Sequence, residues 1–222
     1  MDSTRPPSQS KARVGPRSLR PWYLVAAMVL TWFLGVHGMT TGCSTLRYLH
    51  DGNVVDMNTA TQAAKNEEDP RRVIFVIHEV ARLTAMHEMR QLTFPVTIAK
   101  LLLAGLLVVA SGLAMAGRPG SRSLALQALF ANVALAALSY LLMRDVRANW
   151  IEAVAREGAS LQPLEPGHAQ LVDRRFLWWL ERTRLVVFDL GALMLAAVAL
   201  TRQRTKIFFE AVAEATETTD EP

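Results

Sequence analysis

Two ionisable residues stand inside otherwise apolar stretches, and a charge in hydrocarbon is costly enough to make each a functional candidate. Lys100 lies six residues beyond Phe94 and Asp189 four beyond Leu185, which by helical rise places them about 9 Å and about 6 Å into their segments. If both segments enter a membrane from the same side, the two side chains share a depth and form a candidate intramembrane charge pair. A plainer pattern gives them no chemistry: Lys100 extends its ammonium to the headgroups, and Asp189 sits near a helix start, where the dipole favours an acid. Even a true pair more often latches helices than moves a solute.

The histidines are His37, His50, His78, His87 and His168, and only His37 falls in an apolar stretch. A haem between spans needs two facing axial ligands, so a membrane cytochrome does not fit. His78 and His87 are nine residues apart, which puts them on opposite faces of a helix and denies them a shared metal without help from other helices. The Glu165-Pro166-Gly167-His168 run lies in a breaker segment, unlike the Glu-x-x-His of a di-iron bundle. Cys43 stands alone, which excludes an intramolecular disulfide, a redox CxxC and a thiolate cage. The chain has no phosphate-cradling glycine loop, no HExxH and no serine nucleophile elbow. The expectation is no catalytic residue, no metal and no cofactor.

Asn132 falls near the middle of an apolar stretch with Ala128 and Ala136 one turn to either side. Small residues let helices approach, and an amide can hydrogen-bond across the seam, so this trio reads as helix packing rather than a solute site. Gly112 with Ala116, and Ala192 with Ala196, repeat the small-residue spacing. Trp22, Tyr23, Phe176, Trp178 and Trp179 suit an interfacial aromatic belt.

These residues need elements to position them. The 222-residue chain has 24 basic and 20 acidic residues, yet only Lys100 and Asp189 fall within residues 21–39, 94–116, 123–143 and 185–201. Such segregation excludes a simple soluble globule and a disordered chain. A span needs roughly 20 mostly apolar residues, and lipid cannot satisfy open backbone groups, so the segments must be helices. The shortest, 185–201, also reads as a buried helix of a soluble domain. The expected fold is all-α: an integral membrane four-helix bundle, its helices extended beyond the bilayer on the non-cytoplasmic side. Arg118, Pro119 and Gly120 join the second and third spans as a tight antiparallel hairpin.

Basic residues gather in the N-terminal arm, at Arg118 and Arg122, and at Arg202, Arg204 and Lys206, whereas the connections 40–93 and 144–184 hold as many acids as bases. The positive-inside rule then puts both termini in the cytoplasm, although Arg144, Arg147, Arg182 and Arg184 crowd the outer ends. The composition suits a bacterial inner membrane. A rival pattern for the first span is a cleaved lipoprotein signal with lipidation at Cys43. Thr40 stands where such signals place Leu, so an uncut anchor is preferred.

Outside the spans, residues 1–20 form a basic arm with little to bury and are expected to be disordered. Val73, Val76, Ile77, Val80, Leu83 and Thr84 trace one helical stripe, and Pro95 either starts or kinks the next helix. Val146, Trp150, Ala153 and Val154 carry an apolar stripe to a C-cap at Gly158, and Val172, Phe176, Trp179, Leu180 and Thr183 form the inward face of a restarted helix. Val54, Val55, Met57, Ala60 and Ala63 suggest a further helix. Residues 207–222 read as a short amphipathic helix with an acidic end.

The leading functional expectation is a non-enzymatic integral membrane protein, a structural or interaction subunit whose outer bundle meets a protein partner or a second copy. The alternative is a small transporter or sensor using Lys100 and Asp189, with His37 as a pH-responsive neighbour. A membrane enzyme built on the outer histidines comes third. The scattered basic residues exclude nucleic acid as a partner, leaving the lipid bilayer and a protein.

Overall fold

The computed structural model describes residues 20–51, 70–160 and 169–217, and every described element is helical. The chain runs α1 (Trp22–Asp51), α2 (Pro70–Glu88), α3 (Arg90–Ala116), α4 (Ser121–Leu142) and α5 (Arg144–Ser160). A 3₁₀ turn at Gln170–Val172 leads into α6 (Arg174–Arg184), a π-helical segment at Leu185–Gly191, α7 (Ala192–Thr201) and α8 (Gln203–Glu217). Four stretches are long and apolar enough to cross a membrane: Trp22–Asp51, Arg90–Ala116, Ser121–Leu142 and Arg174–Thr201. At 30 residues, α1 is about 45 Å long against roughly 30 Å of hydrocarbon.

Packing runs around these four in a closed ring, α1 on α3, α3 on α4, α4 on α7 and α7 back on α1. The tightest seam is α1 on α3, where Gly35, Gly38 and Gly42 meet Val108, Ala104 and Leu101. A Cβ built on Gly35 would lie 2.7 Å from Val108 Cγ2 and 3.0 Å from the Ala104 oxygen, so only glycine permits this approach. Buried hydroxyls are satisfied within their own helices: Thr31 Oγ1 donates to Met28 at 2.9 Å, and Ser111 Oγ donates to Leu107 at 2.7 Å.

The α3–α4 turn is set by two left-handed glycines, Gly117 at φ 69° and Gly120 at φ 76°. Gly117 caps α3 by donating its N–H to Ala114, while Arg118 donates to Leu113, the reciprocal pairing that closes a helix C-terminus. This turn end also holds Arg20, which donates to the Met115 carbonyl, and Arg122, which donates to the Leu200 carbonyl at 3.0 Å. Below it, α8 tucks Phe208 and Phe209 against the core formed by Leu24, Met28, Ala110, Ala114, Leu129 and Leu200. Thr205 is fully buried, with its hydroxyl donating to Ala199 at 2.8 Å.

At the opposite, far end a second core joins Val73, Ile77 and Ala85 of α2 to Val146, Ile151 and Val154 of α5 and Leu177 of α6. Several expected boundaries move. The first helix does not stop at residue 39 but continues to Asp51. The last span is not a plain helix from residue 185: it enters through α6 and passes through the π segment. Pro95 lies inside α3, and the chain instead breaks at Met89, with φ −104° and ψ 37°. Thr93, two residues before the proline, covers a nearby carbonyl by donating to Met89 at 3.0 Å.

Two expected stripes and one expected cap shift for packing reasons. On α2 the buried face is Val73, Ile74, Ile77, Val80, Ala81 and Ala85, whereas Leu83 and Thr84 are only half-buried, because small alanines let α5 approach. On α6 the inward residue is Leu177, while Trp179 (60% exposed) and Leu180 face outward. Gly158 is not a cap: α5 runs on to Ser160, and Val172 packs so close that a Cβ on Gly158 would sit 2.4 Å from Val172 Cβ. Asp173 starts α6 by accepting from the Arg175 N–H at 2.9 Å. The arm at 1–19, the Val54–Ala63 stripe, the Glu165-to-His168 run and the acidic end with Asp220 and Glu221 lie outside the described residues.

Candidate functional site

Between the two cores lies a cavity of about 330 Å³. Six charged side chains from separate stretches of chain line it: Arg82 of α2, Lys100 of α3, Arg147 of α5, Glu181 and Arg184 of α6, and Asp189 of the π segment. His37 of α1 lines one side, and Asn132, Ser139 and Tyr140 of α4 line another. Lys100 and Asp189 thus meet on one cavity wall system, as neighbours in charge rather than in contact. Lys100 lies in the field of Asp189, Arg184, Arg147 and Glu181, yet among the described residues neither Lys100 nor Asp189 makes an ion pair or a side-chain hydrogen bond.

The remaining charges have partners. Arg82 holds Glu79 through two hydrogen bonds, at 2.7 and 3.2 Å. Arg184 approaches Glu181 at 3.9 Å. Arg147 donates to the Tyr140 carbonyl and lies 3.8 Å above the centre of the Tyr140 ring, a geometry that satisfies a cation without an acid.

Asn132 reaches across the α3–α4 seam, its Nδ2 donating to Leu103 at 3.1 Å and to Ala128 of its own helix at 2.8 Å. Ala128 is fully buried below the cavity, and Ala136 lines it. Gly112 packs against nothing within 4 Å; the small-residue seam is the one on α1, whose spacing of Gly35, Gly38 and Gly42 was visible in the sequence and overlooked. The aromatic candidates divide between the ends. Trp22 is 80% exposed at the turn end, where Tyr23 contacts Thr205 at 3.3 Å and lies under Arg202. At the far end Phe176 stacks on Trp179, and Trp178 packs on the second core. Cys43 is a free, exposed thiol in the second half of the unbroken α1.

His78 and His87 serve separate contacts. The His78 Nε2 bonds the Leu171 carbonyl at 2.9 Å, and its own carbonyl accepts from Trp150 Nε1 at 3.1 Å. Burial pushes the His78 imidazole below its ordinary pKa, and the bond to Leu171 partly offsets this. The His87 ring packs edge-on to Tyr48. His50 is exposed near the end of α1.

Sequence reasoning missed Arg82, Arg147, Glu181 and Arg184 as site residues. A signal existed: Glu181 and Arg184 are one turn apart on one helical face, and Tyr140 and Arg147 are two turns apart. No protein-family model matches this chain, and no curated protein or solved structure is similar to it, so its function is argued from the site itself.

Proposed function

We propose that this protein is a four-span membrane bundle that receives a small anionic ligand in its central cavity, as the binding element of a sensor or transporter. The observation that carries this is the convergence of four cationic and two anionic side chains on one cavity, with Lys100 and Asp189 inside stretches apolar enough to cross a membrane. A charged residue in a span costs about 2.5–3.5 kcal/mol at the helix centre. Keeping Lys100 and Asp189 there without an ion pair is poor design for a latch and good design for a ligand site.

The turn end, with Arg20, Arg118, Arg122 and Arg202, is the cytoplasmic side by the positive-inside rule, in what we take to be a bacterial inner membrane. The charged end of the cavity then lies toward the opposite side. We read α1 as an uncut anchor, since cleavage before Cys43 would sever the helix beside Gly42, which packs on Leu101.

The test is thiol labelling of Ala136→Cys in a Cys43→Ser background. An anionic methanethiosulfonate should react several-fold faster than a cationic one, and Lys100→Gln should narrow the difference. Equal rates, or no reaction with either reagent, would remove the reading.

A second reading, an interaction subunit that binds a partner or another copy, is favoured by Phe75. It is 70% exposed on α2, outside the four long apolar stretches. Chemical cross-linking in membranes that yields only monomer, unchanged by Phe75→Ser, would dismiss it.

A further inference from the structure

The cavity changes character along its length. Because α1 and α4 run from the turn end to the far end and α3 and α7 run back, depth can be read from residue number. Arg82, Arg147, Glu181 and Arg184 line the far end, and Lys100 and Asp189 come next. One to two turns closer to the turn end stand Leu34, Ala104, Leu107, Leu135 and Leu193. The polar group among them, Asn132, already spends both amide hydrogens on Leu103 and Ala128. The site therefore has a charged mouth over an apolar floor that offers no spare amide donor.

Charge at the mouth can be balanced pair by pair. Arg82 is neutralised by Glu79 and Arg184 by Glu181. Lys100 lies in the field of Asp189, and Arg147 in that of Glu181, which Arg184 already approaches, so four cations meet Glu79, Glu181 and Asp189 and one positive charge is left over. A group carrying one negative charge closes the balance, with the Lys100 ammonium as the cation that has no acceptor among the described residues.

We propose that the ligand is a single-chain amphiphile with a monoanionic head, a carboxylate or a phosphodiester, its head at Lys100 and its chain on Leu107, Leu135 and Leu193. This rests on the cavity reading above. A small hydrophilic anion would leave the leucine floor unused. A two-chain lipid is too large for about 330 Å³, which sits near the bottom of the roughly 300–1,000 Å³ range of ligand pockets. The wall formed by the π segment suits entry of a chain, because Val186, Val187 and Phe188 are all exposed and its main partner across the bundle is α4. Such π-helical turns recur at functional sites.

Full-length Cys43→Ser protein in phosphatidylcholine nanodiscs, titrated with 2-bromodecanoate, whose bromine sits beside the carboxylate, reports binding through quenching of Trp150, which lines the charged end. Decanoate should compete at least ten-fold better than butyrate, decanol, decyltrimethylammonium or decylphosphocholine. Decyl methyl phosphate, a diester with one negative charge, set against decanoate then identifies the head, and either one binding supports the proposal. Lys100→Gln should weaken decanoate ten-fold or more, and Lys100→Arg should restore most of it. Rescue by Lys100→Arg separates loss of the charge from loss of the fold, and Leu135→Asn gives an independent check by erasing the advantage of decanoate over butyrate. Butyrate equal to decanoate, or decylphosphocholine equal to decanoate, overturns the proposal. If the Ala136→Cys variant reacts selectively with the anionic reagent while decanoate fails to bind, the amphiphile is wrong and the cavity reading stands; if both fail, both fall.

Discussion

Asn132 on α4 donates its side-chain amide to the main-chain oxygen of Leu103 on α3 at 3.1 Å, directly beneath the charged part of the cavity. Interhelical bonds of this kind average about 0.6 kcal/mol in membranes, because the separated helices also find partners in lipid. Asn132→Ala should therefore cost about 0.6 kcal/mol, read as a small shift in unfolding midpoint in mixed micelles. A loss several times larger would show that Asn132 holds more than this seam.

The glycine seam should be far less tolerant. Gly35→Val would drive side-chain atoms into Val108 and the Ala104 carbonyl, and overpacking of this sort costs about 1–3 kcal/mol. Gly112→Ala is the control: nothing lies within 4 Å, and alanine favours a helix by about 0.5–1 kcal/mol over glycine. Thermal unfolding of the two variants should move in opposite directions.

At the far end, Gly158→Ala would place a methyl 2.4 Å from Val172 Cβ. The Gln170–Val172 turn must then move, and with it the Leu171 carbonyl that His78 holds. Hydrogen exchange should quicken in α6 and the end of α5, while the core around Leu24 and Leu200 stays protected. Uniform loss of protection would mean that the two cores are one cooperative unit.

His78 makes stability depend on pH with a definite sign. Its folded pKa is lowered by burial, so between that value and the unfolded one the unfolded chain binds more protons. The His78 contribution is complete above about pH 6.5 and is lost as pH falls below it. Comparing unfolding midpoints on either side of that value, at about pH 8 and about pH 5.5, His78→Gln should show a smaller drop than the parent protein. An equal drop would assign the acid sensitivity elsewhere.

How much of this was legible beforehand differs by element. The tight hairpin could be read from Arg118-Pro119-Gly120 because two apolar stretches so close together must turn back on themselves. The amphipathic C-terminal helix was visible in its spacing, with Phe208 now seen buried. The inward face of α6 was misread, since an apolar stripe on a helix flanking a membrane has two apolar destinations, core and lipid, and Trp179 and Leu180 take the outward one. Lys100, Asp189 and His37 were singled out from their cost in hydrocarbon. Arg147 and Arg184 were not, because charges just outside an apolar stretch ordinarily meet headgroups and water, nor was Arg82, which stands twelve residues before the second stretch on the polar side of α2.

By itself the sequence determined that the chain would be helical and that four stretches are apolar enough to cross a membrane, because segregation of charge and the demands of backbone hydrogen bonding operate locally along the chain. The cavity was decided only in three dimensions. Residues 82, 100, 147, 184 and 189 come from separate helical elements, and whether their charges converge depends on how closely Gly35 and Gly38 let α1 settle on α3, and on the π turn that sets the rotation of Asp189. Those are properties of packing between helices, which no single segment encodes.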